Sequence, residues 1–131
     1  MPATIVLVDD QPDKRFLMKR LIAQSFPDHP LISFAACDEA LPSVLTPTPK
    51  VVVTNGRIGM KDGIEFTAYV NQELQVPVVM VSLRTELERK ATAAGAAFVE
   101  MGDFDAIRKA IADVLASAEA SLVSEANPRT A

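Results

Sequence analysis

Thr4-Ile5-Val6-Leu7-Val8-Asp9-Asp10 is the stretch from which the fold is read. Its first five residues are almost wholly apolar and rich in β-branched side chains. A strand wetted on one face alternates polar and apolar residues, whereas a strand covered on both faces reads as a continuous apolar run. Thr4 to Val8 therefore predict a buried parallel strand, ended by the two carboxylates.

The same grammar extends downstream. Pro12 and Asp13 open a helix with Phe16, Leu17, Leu21 and Phe26 at helical spacing, broken by Pro27 to Pro30. Leu31 to Ala35 read as a second strand, and Asp38 caps a short helix ending near Leu45. Pro47 and Pro49 punctuate a loop before Lys50-Val51-Val52-Val53-Thr54, the third strand. Asp62-Gly63 opens a helix carrying Ile64, Ala68 and Val70 to about Leu74. Val76 to Val81 are the fourth strand, with Pro77 near its start, where a missing N–H does least harm. Arg84 to Ala94 form a helix closed by Gly95, and Ala96 to Val99 the fifth strand. Asp103 caps a last helix with an apolar stripe of Ile107, Ile111, Val114 and Leu115. The pattern fades from about Ser117, so the sequence predicts one domain over 1–117 and a frayed tail over 118–131.

Short apolar strands alternating with helices specify an α/β fold with a parallel sheet covered on both sides. Crossover handedness and strand count favour a flavodoxin-like (βα)5 doubly wound sheet of order 2-1-3-4-5. Ligands in such folds meet the carboxyl ends of strands 1 and 3, which directs attention to Asp9, Asp10 and Asn55.

Composition narrows the function classes. The 131 residues are 49% hydrophobic and 23% charged, with no Trp and one Tyr, so the core must be aliphatic. A net charge of −4 with scattered bases argues against nucleic acid, which demands clustered Lys and Arg. The densest basic group, Lys14-Arg15 and Lys19-Arg20, reads as a solvated helix face. Cys37, the single cysteine, can form no internal disulfide and reads as a half-buried packing residue. His29, the single histidine, sits between prolines without partners for a zinc site or triad. No leader precedes Thr4, and no apolar run reaches the ~20 residues of a membrane span, so the sequence reads as cytoplasmic.

Four segments, in order and spacing, resemble the receiver domain of bacterial response regulators over about Thr4 to Leu115. They are Val8-Asp9-Asp10, Asp62-Gly63-Ile64-Glu65, Pro77-Val78-Val79-Met80-Val81-Ser82 and Ala93-Ala94-Gly95-Ala96. The resemblance implies a role in two-component signalling. In an active receiver an aspartate ending strand 3 takes a phosphoryl group from a partner histidine. The acidic pair holds Mg²⁺, and a lysine after strand 5 and a hydroxyl after strand 4 grip the phosphate.

This chain departs from that pattern. Asn55, seven positions before Asp62, stands at the phosphoacceptor position, and a neutral carboxamide is a poor nucleophile. Glu100 occupies the lysine position and would repel phosphate, with Met101 where the family has proline. Ala97 replaces the switch aromatic, and Gly59 stands where proline is typical. Ser82 keeps the hydroxyl position. Together these losses describe a pseudo-receiver with no enzymatic activity.

Asp9, Asp10 and Glu100 beside Asn55 sum to a formal −3, which calls for a cation or a raised pKa. An internal ion pair with Arg57 or Lys61 is preferred. The alternative is Mg²⁺ held by Asp9, Asp10, Asn55 and the backbone carbonyl of Arg57, with no cofactor required. The expected function is a single-domain receiver acting as a phosphorylation-independent protein-interaction module. A histidine kinase or other signalling protein would dock on the helix 4–strand 5–helix 5 face at Leu87, Ala91, Phe104 and Lys109, a face that could also form a homodimer. The competing reading is a phosphoacceptor modified on Asp9 or Asp10, or on Asn55 after deamidation at Asn55-Gly56. A nucleotide or flavin protein is disfavoured, since Asp9-Asp10-Gln11-Pro12 stands where a glycine-rich loop belongs.

Overall fold

A computed structural model describes residues 4–45, 48–58 and 61–126, and for residues 45, 57, 58, 61, 62 and 118–126 it describes the backbone alone. The sheet strands are β1 (Ile5–Val8), β2 (Leu31–Phe34), β3 (Val51–Thr54), β4 (Val78–Ser82) and β5 (Ala97–Glu100). Helices α1 (Pro12–Ser25), α2 (Cys37–Leu45), α3 (Gly63–Ala68), α4 (Glu88–Ala93) and α5 (Phe104–Ala126) alternate with them. All strand pairs in this sheet are parallel, in the spatial order β2-β1-β3-β4-β5. This is the flavodoxin-like order expected from the strand pattern.

Strand alternation divides the core between the two sheet faces. Val6, Val8, Val52, Val78 and Met80 pack with Cys37, Ala40, Val44, Phe66, Val70 and Ala91 from α2, α3, α4 and the turn after α3. Ile5, Leu7, Val51, Val53, Val79 and Val81 pack on the other face with Met18 and Ile22 of α1 and Ile107, Ile111 and Leu115 of α5. Every residue of β1, β3 and β4 is buried, which is why these strands carry no polar alternation. The edge strand β2 is only partly covered. Among the described residues, no helix is long and apolar enough to cross a membrane.

Several local expectations need correction. In α1 the buried line is Met18 and Ile22, while Phe16 is 63% and Leu17 42% exposed. Cys37 is buried, not half-buried. The fourth strand starts at Val78, because the Pro77 ring has no N–H to give, although its carbonyl still accepts from Val52 N–H at 2.9 Å. The helix after Gly63 widens into a π turn at Tyr69–Glu73, and Leu74 N–H donates to the Tyr69 carbonyl at 3.3 Å. Gln75 then takes a left-handed φ of 58°, reversing the chain before β4. A 3.6-residue apolar rhythm cannot reveal one extra residue in a turn. The helix after β4 begins as a 3₁₀ turn at Thr85–Leu87. Asp103 does cap α5, its Oδ1 accepting from Ala106 N–H at 3.0 Å.

Candidate crevice at the carboxyl end of the sheet

The parallel register brings the ends of three strands to one edge. Val8 lies beside Thr54, Thr54 beside Met80, and Ser82 beside Glu100. The residues that follow Val8 and Thr54, together with Ser82, therefore meet around a common opening. A cavity of about 310 Å³ lies there, with Asp10, Lys14, Asn55, Ser82 and Arg84 in its wall.

Asn55 is anchored on both sides. Its backbone N–H donates to the Val8 carbonyl at 3.2 Å, and its Oδ1 accepts from Gly56 N–H at 2.7 Å. Gly63 closes tightly on this turn, its N–H donating to the Gly56 carbonyl at 3.0 Å. A Cβ on Gly63 would lie 2.6 Å from the Asn55 carbonyl oxygen, so the Asp62-Gly63 signature reflects backbone crowding. A Cβ on Gly56 would lie 2.6 Å from Leu87 Cδ1 and 3.1 Å from Ser82 Oγ. Between Asn55 and Gly63 the chain forms a small antiparallel ladder pairing Arg57 with Asp62 and Ile58 with Lys61.

Ser82 is 3% exposed, and its Oγ accepts from Arg84 N–H at 3.0 Å. Glu100 pairs with it across the sheet but is exposed, and is not in the cavity wall. Of the three carboxylates expected together, Asp10 is in the described wall of this cavity, and Asp9 and Glu100 are not.

Asp9 lies inward of the opening at 5% exposure. Burial pushes its carboxyl above the ordinary value of 3.8, and nearby Asp10 adds to the shift. The Gln11 N–H, donating to Oδ1 at 3.0 Å, acts against it, as do the charges of Lys14 and Arg15. Arg15 also donates from Nη1 to the Asp9 carbonyl at 2.8 Å. Asp9 and Lys14 share a separate space of about 10 Å³, roughly one water's room.

The cations beside the acidic pair thus come from α1, which the sequence reading assigns to a solvated face. The side chains of Arg57 and Lys61, the bases preferred for an internal ion pair, lie outside the described residues, as does Gly59. Lys14 and Arg84 are the site residues that sequence reasoning misses. The signal for Lys14 is its place one turn beyond Asp10. For Arg84 it is the two-residue step past Ser82.

A divalent cation at this donor set would compete with bonds and charges already present. Mg²⁺ seeks an octahedron of hard oxygens. Here Oδ1 of Asp9 and Oδ1 of Asn55 already accept backbone N–H groups, and two basic side chains stand near Asp9. Among the described residues, no group of three or more His, Cys, Asp or Glu could hold a metal ion.

On the proposed docking face, Ala91 is fully buried and offers no surface, because α4 turns it into the core. Leu87 is half-buried, and it is the side chain that a Cβ on Gly56 would strike. Phe104 is 37% exposed, and Lys109 is exposed beside Asp113, its Nζ donating at 2.9 Å. Ala97, at the switch position, is exposed.

Comparison with known proteins places this geometry. The family model described as response regulator receiver domain matches residues 5–118. Among solved structures, a two-component response regulator of the LuxR family from Aurantimonas sp. SI85-9A1 is 29% identical, with TM-score 0.77, covering 89% of this chain and 87% of that one. NtrX from Brucella abortus is 25% identical with TM-score 0.82, the match covering 99% of this chain and 30% of NtrX. Chemotaxis protein CheY4 of Vibrio cholerae is 20% identical with TM-score 0.73, covering 87% and 99% of the two chains. No curated protein matches the chain.

Proposed function

The chain belongs to the response regulator receiver domain family of two-component signalling, and from that premise we propose that it acts without being phosphorylated, as a protein-interaction module and not an enzyme. The observation that carries this reading is Asn55. It stands where the chain leaves β3 for the crevice, with its carboxamide oxygen held by Gly56 N–H. An amide in that position offers no carboxylate to attack phosphorus. Glu100, exposed at the end of β5, supplies no cation to hold a phosphoryl group.

Modification of Asp9 is opposed by its burial and by the backbone N–H on its carboxylate. A protonated or hydrogen-bonded carboxylate is a weak nucleophile. Mg²⁺ is not required in this reading, and isothermal titration should give no binding at or below about millimolar Kd.

Any output passes through a surface. The face built from α4, β5 and α5 retains Phe104 and Lys109 as accessible contacts for a histidine kinase, another signalling protein or a second copy. The direct test is incubation with acetyl phosphate and Mg²⁺, followed by intact-mass measurement. Unchanged mass supports the proposal. A phosphoryl adduct on freshly prepared protein would overturn it.

A further inference from the structure

We propose that two copies of this chain pair about a two-fold axis through the face shared by α1 and the start of α5. Six large apolar side chains are exposed among the described residues, and three of them, Phe16, Leu17 and Phe104, line one groove of about 280 Å³. The other three, Ile32, Tyr69 and Leu83, lie elsewhere. Apolar residues exposed singly are ordinary on a protein surface, whereas a cluster marks a contact. Phe16, at 63%, is the most exposed of the six. The inference stands apart from the phosphorylation-independent reading, since no residue of this groove is in the crevice wall.

The charges beside the groove point to a second copy as its occupant. On the α1 half Lys19 and Arg20 are exposed, with the Arg20 guanidinium 5.9 Å from the centre of the Phe16 ring. On the α5 half Asp103 and Asp105 are exposed, one on each side of Phe104 in the chain. Among the described residues Asp105 pairs with Arg108 of its own helix, a solvent-exposed contact of little energy, and Arg20 makes no ion pair. An anionic lipid surface would be repelled by the two aspartates, and a partner of a single charge would match only one half. A second copy carries both halves. In an isologous pairing each contact occurs twice, so the bases of each α1 meet the acidic start of the other copy's α5.

Such a pairing covers the exposed aromatics. Phe16 and Leu17 of one copy pack across the axis against the groove of the other, where Leu21 and Phe104 supply apolar surface and Arg20 and Gln24 a polar border. A contact centred on so few side chains is small, so the dimer is weak, with a Kd on the order of tens of micromolar. Phe104 adjoins the α4–β5–α5 face as well. Lys109, which does not line the groove, is therefore the residue that tells the two surfaces apart.

The test is sedimentation velocity of the whole chain over a concentration range that brackets this Kd, with circular dichroism to confirm that each variant is folded. The parent should pass from monomer to dimer across the range. Phe16→Ala should weaken the association about tenfold, as for loss of a central aromatic, and Lys109→Glu should leave it unchanged. Arg20→Glu and Asp105→Arg should each remain monomeric, because like charges then face each other at both copies of the contact. An equimolar mixture of these two variants should associate again, since every contact in the mixed pair joins opposite charges. A parent that stays monomeric overturns the inference and leaves the groove to an occupant of other chemistry. Association kept in Phe16→Ala and lost in Lys109→Glu overturns it too, by moving the contact to the α4–β5–α5 face. A mixture that fails to associate overturns the two-fold pairing.

Discussion

At 5% exposure the Asp9 carboxylate gives up most of its hydration, and Gln11, Lys14 and Arg15 return only part of what burial removes. Its pKa in the folded protein therefore lies above 3.8, so the folded state holds this proton more readily than the unfolded chain does. Asp9 favours folding fully below 3.8, and that contribution is lost as pH rises through the folded pKa. Asp9→Asn keeps the shape and the acceptor for Gln11 N–H while removing the buried charge. It should raise stability by about 1 kcal/mol at neutral pH and converge with the parent in acid, as urea unfolding at both pH values would reveal. A gain of equal size at both would point to packing and away from charge. Gly63→Ala forces a methyl against the Asn55 and Gly56 carbonyl oxygens, which cannot swing aside as a side-chain tip can. A loss of about 2 kcal/mol is expected from denaturant midpoints, with shifted Asn55 and Gly56 amide signals. An unperturbed spectrum would mean that the turn is looser than its distances imply. Of the site, Asp9, Asp10 and Asn55 were legible from sequence because they follow apolar strands, and Ser82 through the resemblance to receiver domains. Lys14 and Arg84 were hidden, because an isolated basic residue looks the same whether it faces a crevice or bulk water.

Elements were legible wherever burial is two-sided. The valine runs of β3 and β4 admit few other readings, and Ile107, Ile111 and Leu115 mark the inner stripe of α5. Amphipathic α1 misled, since Phe16 and Leu17 sit at plausible spacing yet face outward beside Met18 and Ile22. Helical period alone does not fix which arc meets the sheet. The cap is a better guide: Asp103→Ala should cost about 1 kcal/mol through loss of its bond to Ala106 N–H. Thr67 makes the opposite case. It is fully buried in α3, and its Oγ1 has no hydrogen-bond partner among the described residues. Thr67→Val should thus be neutral or stabilising by up to about 1 kcal/mol in thermal unfolding, because it removes an unmet hydroxyl. A marked loss would indicate that this hydroxyl is paired in solution.

For the molecule as a whole, strand order followed from a few rules of connection, and the sheet brings Asn55, Ser82 and the acidic pair to one edge as those rules require. The charge of that edge did not follow, because it depends on how α1 and the turn after β4 are set against the strands. Counting acids in the sequence places Glu100 with Asp9 and Asp10, whereas the fold leaves it exposed and sets Lys14 and Arg84 in the cavity wall. The central proposal concerns position 55: that a receiver fold with an amide there keeps its architecture and loses covalent acceptance of phosphate. The most direct measurement compares intact masses of the parent protein and Asn55→Asp/Glu100→Lys after identical treatment with acetyl phosphate and Mg²⁺. The account predicts no adduct on the parent and a phosphoryl adduct on the double variant. An adduct on the parent, mapped to any aspartate of the crevice, would contradict it.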